Sequence, residues 1–303
     1  MARDHVYQVK QATLAFLGKL WEDNYAKNRS GIAVTPGVAG LFGRFKGVPA
    51  VVVGAGPSLD RNVRYLAHAK GRAVIIACDT ALKVLSGRGV VPDIVINLDP
   101  QAKILHFFEG VDTRGMALAA PTIVHPALRA QWQGDFFFYN KHAPDIPFLA
   151  QIEAHHRETG TLVPGGTVLS VAFDLAFKSG ADPIAFIGQD LSYTAANAYA
   201  SGSHLEDYKS QDIFDQPGDT IVESKDIFGR TIKTQKQMAV TKKWFDWAFK
   251  EWNGDRKRRI YNCSEGGILT ECDQMPFNEF VARYCLKKIN VGWAVKKAAK
   301  VKR

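Results

Sequence analysis

Cysteine is scarce in this sequence: there are four in 303 residues, with no CxxC spacing and none beside a histidine. This distribution argues against a disulfide framework or a cysteine-based zinc site, and it predicts reduced thiols in a reducing compartment. Long apolar runs are also missing, since no segment approaches the roughly 18–20 residues that a helix needs to span a bilayer. The N-terminus lacks the charged start and apolar run of a signal peptide. We therefore expect a cytoplasmic protein without a transmembrane segment.

Several catalytic signatures are absent as well. The chain contains no GxSxG elbow of an α/β-hydrolase and no HExxH motif of a zinc protease. The glycine turn at 54–59, GAGPSL, lacks the third glycine of a Rossmann GxGxxG and the Gly-Lys-Ser/Thr of a Walker A loop. These absences argue against hydrolase and zinc-protease chemistry, and we expect no metal bound by the protein alone.

The formal net charge of +9 is concentrated at the C-terminus. Residues 286–303 contain seven basic side chains and no acidic one, so the rest of the chain is close to neutral. A solvated helical tail accounts for this pattern, and so does an electrostatic dock for an acidic protein, a membrane surface or nucleic acid. We expect no specific nucleic-acid binding, and an acidic partner for the tail stays a hypothesis.

Short apolar runs that end in glycine or polar residues alternate with helix-like segments. Such runs are typical of buried parallel strands, and they lie at 50–53, 73–78, 94–98, 122–124, 136–139, 184–187 and 260–262. Helical patterns lie at 5–28, 60–69, 80–86, 168–178, 241–252 and 278–288, with a break expected at 28–31. The alternation predicts an α/β fold: a Rossmann-like, mostly parallel sheet with flanking helices.

The pattern also predicts three parts of the chain. We expect an N-terminal helical extension at 1–47, a nucleotide-binding α/β domain at 48–285 and a basic, helical C-terminal tail at 286–303. Residues 195–237 are polar and lack the strand–helix rhythm. We expect them to form a long surface loop of the kind that serves as a lid or binding loop.

The first candidate site is the glycine turn that follows the first buried strand. Two glycines let the backbone bend sharply and approach a ligand closely. The N–H groups at the start of the next helix suit a phosphate, and Ser58 adds a hydroxyl. A plain tight turn is the alternative interpretation. We predict a phosphate-bearing nucleotide bound by Gly54, Gly56, Pro57, Ser58 and Leu59.

Polar residues follow several other predicted strands, and ligands of open α/β sheets bind beyond the carboxyl ends of the strands. Carboxylates there can hold ribose hydroxyls, bind magnesium or act as bases, although Asp79 could instead be a helix N-cap. A second glycine turn precedes the helix at 168–178. The further nucleotide-binding candidates are Asp79, Asn97, Gly165, Gly166, Thr167, Gln189, Asp190 and Tyr193.

Two residues are candidates for the chemistry itself. His204 lies in the polar loop, where a histidine can act as a general base. The alternative interpretation is that His204 is an ordinary exposed histidine without a role in the chemistry. Asp99 follows the third predicted strand and would face the same crevice as the glycine turn.

The ordered set of motifs resembles one family. The segments that carry the resemblance are Phe45–Ala50, Gly54–Asp60, Cys78–Leu82, Pro92–Val95, Gly188–Tyr193, His204 and Asn262–Gly267. The family is the bacterial motility accessory factors, whose central domain is called 6-hydroxymethylpterin diphosphokinase MptE-like. The resemblance spans about residues 10–285. Family members are implicated in placing nonulosonic acids, such as pseudaminic or legionaminic acid, on Ser/Thr residues of flagellin.

The resemblance implies a glycosyltransferase similar to the bacterial sialyltransferases that use CMP-sugars without a metal cofactor. In those enzymes a Gly-Pro-Ser-Leu turn, polar strand ends, a Gly-Ser/Thr turn and a tyrosine hold the nucleotide, and a histidine is the base. The matching positions are Gly56, Pro57, Ser58, Asp79, Asn97, Gly166, Thr167, Tyr193 and, as the base, His204. Asp79 departs from the pattern, because those sialyltransferases carry an asparagine there. The implied partners are a CMP-sugar donor and a protein acceptor, with flagellin as the expected example.

Two alternatives stay open. The archaeal branch of the same superfamily transfers diphosphate from ATP to a pterin, which requires magnesium, and Asp79 or Asp99 could hold that ion. The other alternative is a non-catalytic nucleotide-binding protein that docks on a partner through its basic tail.

Overall fold

The computed structural model describes residues 2–216, 220–255 and 257–300, with side chains from Leu14 onward. Its strands are β1 (Ala50–Val53), β2 (Val74–Cys78), β3 (Ile94–Ile96), β4 (Ala117–Pro121), β5 (Asp135–Lys141), β6 (Thr161–Leu162), β7 (Ile184–Ile187), β8 (Ile221–Lys225), β9 (Thr231–Gln235), β10 (Ile260–Asn262) and β11 (Asp273–Gln274). Its helices are α1 (Ala2–Val34), α2 (Leu59–Asn62), α3 (Leu66–Ala69), α4 (Leu82–Gly87), α5 (Pro126–Gln131), α6 (Pro147–His155), α7 (Val168–Lys178), α8 (Ser210–Phe214), α9 (Lys236–Trp252), α10 (Phe277–Tyr284) and α11 (Val291–Ala299).

Nine strands form one sheet in the order β11-β10-β7-β1-β2-β3-β4-β5-β6, and β8 and β9 form a separate antiparallel hairpin. Neighbouring strands of the large sheet run parallel: Ala50 of β1, for example, pairs with Val74 of β2 and with Ile184 of β7. The predicted α/β fold with a parallel sheet and helices at both ends is therefore confirmed. The strand order changes direction between β1 and β7. The carboxyl ends of these two strands thus form the topological switch point at which open α/β sheets bind ligands.

The central strands are apolar along their whole length because helices cover both faces of the sheet. All four residues of β1 and all four of β7 are buried. Helix α7 has the predicted bounds and packs a continuous buried stretch, Leu169–Ala176, against the sheet. β-branched and apolar residues in short runs therefore predict these strands well.

Helix α1 is longer than predicted and belongs to the core. The expected break at 28–31 is wrong, since the helix continues to Val34. Asn28 does not end the helix because its side-chain amide donates to the carbonyl oxygens of Thr122 and Val124 at 3.1 and 2.8 Å. Two helical turns before Asn28, the side chain of Trp21 is 1% exposed and packs in a cluster with apolar side chains of α6.

The C-terminal helix α11 is amphipathic. It buries Val291, Val295 and Ala298, whereas Lys296 and Lys297 are exposed. Part of the basic tail therefore packs against the rest of the protein. Docking of a partner through the tail stays a prediction. The three predicted domain boundaries stay predictions as well. Within the described residues, none of the helices combines the length and the apolarity that crossing a membrane requires.

Several local predictions need correction. The strand expected at 122–124 lies at Ala117–Pro121, where alanines give no β-branched signal but fit between β3 and β5. The helix expected at 60–69 is split into α2 and α3 by a 3₁₀ turn that keeps Val63 facing the core. The closing helix ends at Tyr284 and not at 288. The loop at 195–237 contains α8 and the β8–β9 hairpin in addition to irregular chain.

Candidate active site

The glycine turn after β1 packs directly against the loop after β7. A Cβ atom at Gly54 would lie 2.9 Å from Leu169 Cδ2 and closer still to the carbonyl oxygen of Gly188. At Gly56 a Cβ would lie 2.8 Å from that oxygen and closer still to the Asp190 carboxylate. Neither Gly54 nor Gly56 has a positive φ. These two glycines are therefore required because a side chain would not fit where the two strand ends meet.

Most hydrogen-bond donors of this turn are engaged within the protein. Ser58 donates from its N–H and its hydroxyl to Asp190 Oδ2 at 3.3 and 2.8 Å. The N–H groups of Gly56 and Leu59 donate to the carbonyl oxygens of Gly188 and Gly56. Burial raises the pKa of Asp190 to about 6, although the hydrogen bonds from Ser58 act in the opposite direction.

The Asp190 carboxylate thus occupies the position at Ser58 that was predicted for a phosphate. The helix after the turn has only four residues, so its dipole is small. A phosphate at Ser58 would have to displace Asp190. Phosphate binding by this turn stays a prediction, and it requires the Asp190 carboxylate to move away from Ser58.

Asp79 and Asn97 form a buried pair beyond β2 and β3. Asn97 donates from Nδ2 to Asp79 Oδ2 at 2.8 Å, and Asp79 Oδ1 accepts from the N–H and hydroxyl of Thr80 at 2.8 and 3.1 Å. Burial raises the pKa of Asp79 to about 6, while these hydrogen bonds lower it. Tyr139 of β5 donates its hydroxyl to the Asn97 carbonyl oxygen at 2.7 Å. Asn97 Oδ1 is buried and has no hydrogen-bond partner among the described residues.

Asp99 lies further out on the segment that follows β3. Its side chain is 30% exposed and forms an ion pair with Lys103 at 3.3 Å. Asp99 Oδ1 accepts from the N–H of Gln101 at 2.9 Å. Asp99 is thus more accessible to a ligand than Asp79, whose two oxygens are both occupied.

The second glycine turn lies beside the first, because Leu169 of α7 is in contact range of the Gly54 position. The N–H of Gly165 donates to Ser170 Oγ at 2.6 Å. No acceptor for the N–H groups of Gly166 and Thr167 is found in the described part of the chain. These amides stand at the N-terminus of an eleven-residue helix. The second turn therefore suits a phosphate better than the first.

Two buried threonine hydroxyls border this second turn. A Cβ at Gly166, which has φ +106°, would lie 2.5 Å from Thr241 Oγ1 of helix α9. Neither Thr241 Oγ1 nor Thr167 Oγ1 has a hydrogen-bond partner among the described residues. Buried hydroxyls without partners are rare in folded proteins, so both favour a polar ligand at this turn.

Gln189 and Tyr193 follow β7 but have different surroundings. The N–H of Gln189 donates to Ser264 Oγ at 3.0 Å, and its side-chain Nε2 is buried with no partner in the described residues. Tyr193 donates its hydroxyl to Gln235 Oε1 of β9 at 2.7 Å. Burial raises the pKa of Tyr193. The side-chain amide of Gln189 can therefore still donate a hydrogen bond at the switch point, whereas the Tyr193 hydroxyl is hydrogen-bonded to the β8–β9 hairpin.

Residues 195–210, here called the lid loop, fold over the first glycine turn. The N–H of Ala200 donates to the carbonyl oxygen of Ala55 at 2.9 Å. Ser201 donates from its N–H and its hydroxyl to the Asp60 carboxylate at 3.1 and 3.0 Å. The lid loop is therefore fastened to the turn at its backbone and at Asp60.

His204 of the lid loop lies against the segment that follows β3. Its ring centroid is 4.5 Å from that of His106 and 6.1 Å from that of Phe107. Its Nε2 is buried and has no hydrogen-bond partner in the described chain. Burial lowers the pKa of His204, and the charges of Lys83 and His106 lower it further. The ring is therefore a neutral acceptor near pH 7.

The structure brings the predicted residues together in two groups at one edge of the sheet. Gly54, Gly56, Ser58, Gln189 and Asp190 meet at the switch point, and Asp79, Asn97 and Asp99 lie over β2 and β3. Sequence reasoning missed three neighbours of this edge, namely Tyr139, Lys141 and His106. The predicted strand at 136–139 ended two residues early, which hid the side chain at its true end.

Two further features concern metals and cavities. In residues 2–216, 220–255 and 257–300, no three His, Cys, Asp or Glu side chains are grouped so that they could hold a metal ion. A cavity of about 730 Å³ lies between the segment after α2 and helix α10, and none of the predicted site residues lines it.

A family model described as 6-hydroxymethylpterin diphosphokinase MptE-like matches residues 23–196, which is more than half of the chain. The chain belongs to the MptE-like family. This membership confirms the resemblance, and the roles of the individual site residues stay predictions.

Two curated relatives and one solved structure extend the comparison. The relatives are uncharacterized proteins of Treponema pallidum (strain Nichols): one is 35% identical over 85 residues, which is 28% of this chain and 39% of the relative. The other is 31% identical over 159 residues, which is 51% of this chain and 27% of the relative. The fold of this MptE-like chain is similar to that of a MAf glycosyltransferase from Magnetospirillum magneticum AMB-1, with a TM-score of 0.64 and 19% identity. That match covers 92% of this chain and 41% of the other, so the chain spans less than half of each of the three proteins.

Proposed function

We propose that this chain is a glycosyltransferase that moves a nonulosonic, sialic-acid-like sugar from a CMP-sugar to a Ser or Thr hydroxyl of an acceptor protein, with flagellin as the first acceptor to test. Family membership and the fold shared with a MAf glycosyltransferase support the proposal. The observation that carries it is the set of buried polar atoms without partners among the described residues at the carboxyl edge, Asn97 Oδ1 and Gln189 Nε2 foremost. Folded proteins leave few such atoms unless a ligand or water meets them.

The second glycine turn and the Asp79–Asn97 pair would divide the donor between them. The N–H groups of Gly166 and Thr167, together with the helix dipole of α7, would hold the donor phosphate and stabilise it as it leaves. Asn97 Oδ1, the acceptor without a partner among the described residues, would receive a hydrogen bond from a ribose hydroxyl or the cytosine amino group, and Asp79 would hold the Asn97 amide in place. The donor sugar would then lie toward the lid loop.

His204 would be the general base. It would take the proton of the acceptor hydroxyl, whose oxygen forms a bond to the anomeric carbon of the sugar. The bond from that carbon to the phosphate oxygen breaks, and CMP leaves with the electron pair. The lowered pKa of His204 keeps the ring neutral and able to take this proton at pH 7. No protein-bound metal is needed for these steps.

A transfer assay tests the proposal. CMP release from CMP-activated nonulosonic acids is followed by chromatography, and the sugar on a purified flagellin is followed by its mass, each with EDTA present. We expect transfer in EDTA, its loss in His204→Ala with CMP binding retained, and full transfer in the matched variant His155→Ala, whose side chain is exposed on α6. Loss of CMP binding in His204→Ala would contradict the role of His204 as the base.

A second candidate is transfer of diphosphate from ATP to a pterin, as the family description suggests. Magnesium would fit Asp99 better than Asp79, because both oxygens of Asp79 already accept hydrogen bonds. When bound, the ion would neutralise charge on the ATP phosphates. ATP consumption that requires a divalent metal, with no use of CMP-sugars, would favour this candidate. Nucleotide binding without turnover of either donor would favour the non-catalytic partner protein.

A further inference from the structure

Lys141, the last residue of β5, places an ammonium group at the carboxyl edge of the sheet. Side chains two residues apart on a strand share one face, so Lys141 shares a face with Tyr139. The Tyr139 hydroxyl reaches the Asn97 carbonyl oxygen across β4. Lys141 lies two residues beyond Tyr139, and thus closer to the carboxyl edge of the sheet on that face. The charge of the Asp99 carboxylate raises the pKa of Lys141, so the two groups are near each other.

The Lys141 ammonium has no hydrogen-bond acceptor or ion-pair partner in the part of the chain that the structure describes. It lies over the ring of Trp21, with Nζ 4.9 Å from the ring centroid. Trp21 is itself buried, so one side of the ammonium faces an apolar wall. Burial lowers the pKa of Lys141 to about 8, while Asp99 acts in the opposite direction. The Lys141 side chain is only partly buried, so its ammonium group can still pair with an anion that enters from solution.

Two other cations near the edge already have partners. Arg61 donates to the carbonyl oxygen of Glu265 at 3.0 Å, and Lys103 forms its ion pair with Asp99. The site also carries the acidic side chains of Asp79, Asp99 and Asp190. An anionic donor would be repelled by these carboxylates unless a cation offset them.

We propose that Lys141 is an anion-binding residue of the active site, which receives the phosphate or the carboxylate of the substrate through a charge-assisted hydrogen bond. The inference rests on the proposed function, because a CMP-nonulosonic acid carries both groups. The shared chemistry is an oxyanion near the Trp21 ring.

Calorimetric titration of wild type, Lys141→Met and Lys141→Arg with four probes tests this inference. The probes are cytidine, CMP, CMP-N-acetylneuraminic acid and inorganic pyrophosphate. Lys103→Met is the matched control, since Lys103 is also a lysine beside Asp99 but is 64% exposed. A second measurement uses wild type only: a limiting amine-reactive ester labels lysines, and mass spectrometry reports whether each probe protects Lys141.

Each outcome decides the inference. Lys141→Met should weaken binding about tenfold or more for the probe whose oxyanion meets Lys141, with partial rescue in Lys141→Arg and no change in Lys103→Met. A loss for CMP but not cytidine assigns the phosphate, and a loss for the CMP-sugar alone assigns the carboxylate. Protection of Lys141 by pyrophosphate, without any binding of cytidine nucleotides, would overturn the proposed function and leave the anion site standing. Unchanged affinities with no protection by any probe would overturn the inference itself.

Discussion

Replacing Gly54 by alanine should destabilise the protein even without any ligand. The new Cβ would lie 2.9 Å from Leu169 Cδ2 and closer still to the carbonyl oxygen of Gly188. The obstacle is backbone on a neighbouring strand end, which cannot rotate away as a side chain could. Both strand ends are also held in place, because the N–H of Gly54 donates to the Ile187 carbonyl oxygen at 2.8 Å.

The expected cost follows from these contacts. Overpacking of a close-packed site costs about 1–3 kcal/mol, and a weakened backbone hydrogen bond adds about 1 kcal/mol. We therefore expect Gly54→Ala to lose about 3 kcal/mol, which for a chain of this size lowers Tm by roughly 5 °C.

Gly87→Ala is the matched control. Gly87 is exposed at the end of α4, and a Cβ there would meet no atom within 4 Å. The free energy of unfolding of Gly87→Ala should stay within about 0.5 kcal/mol of the wild-type value or rise slightly. Thermal and urea unfolding followed by circular dichroism measure both variants. If Gly54→Ala melted like wild type but failed to bind CMP, the glycine would serve the ligand and not strand packing, and our reasoning about the turn would be refuted.

Two further results are expected. Burial raises the pKa of Asp79 from 3.8 to about 6, so wild type loses stability as pH rises from about 4 through 6, by roughly 3 kcal/mol from this group. The Asn side chain does not titrate, so the difference in free energy of unfolding between Asp79→Asn and wild type should shift by that amount in favour of the variant between pH 4 and pH 7, as measured by urea unfolding. If the free energies of unfolding of the two proteins changed in parallel with pH, the raised pKa of Asp79 would be contradicted. Thr241→Val removes a buried hydroxyl that lacks a partner among the described residues, so the ligand-free protein should be as stable as wild type or about 1 kcal/mol more stable. Its CMP affinity should nevertheless fall, and an unchanged affinity would exclude Thr241 from the site.

The central sheet could be predicted from the sequence because parallel strands buried on both faces are apolar throughout. The strands at 50–53 and 184–187 have the predicted bounds. β4 was missed because Ala-Leu-Ala-Ala carries no β signal, and its place is fixed by the strands on either side. The end of α1 was missed for a similar reason, since Asn28 bonds to residues far along the chain.

The candidate site could be predicted only in outline. Polar residues after several strands had to share one edge, because parallel strands end at the same side of a sheet. The partners at that edge could not be predicted, since Ser58 and Asp190 are 132 positions apart. The first glycine turn was assigned to a ligand, yet its glycines and amides are used by the contact between β1 and β7.

The most direct test of the proposed nucleotide site is calorimetric titration of the wild-type protein with CMP and with ATP, each in magnesium and in EDTA. We expect CMP to bind with the same affinity in both conditions and ATP to bind weakly or not at all, because in the proposed site the second glycine turn would hold one phosphate through backbone amides. Binding of ATP that requires magnesium, or no binding of CMP, would contradict the account.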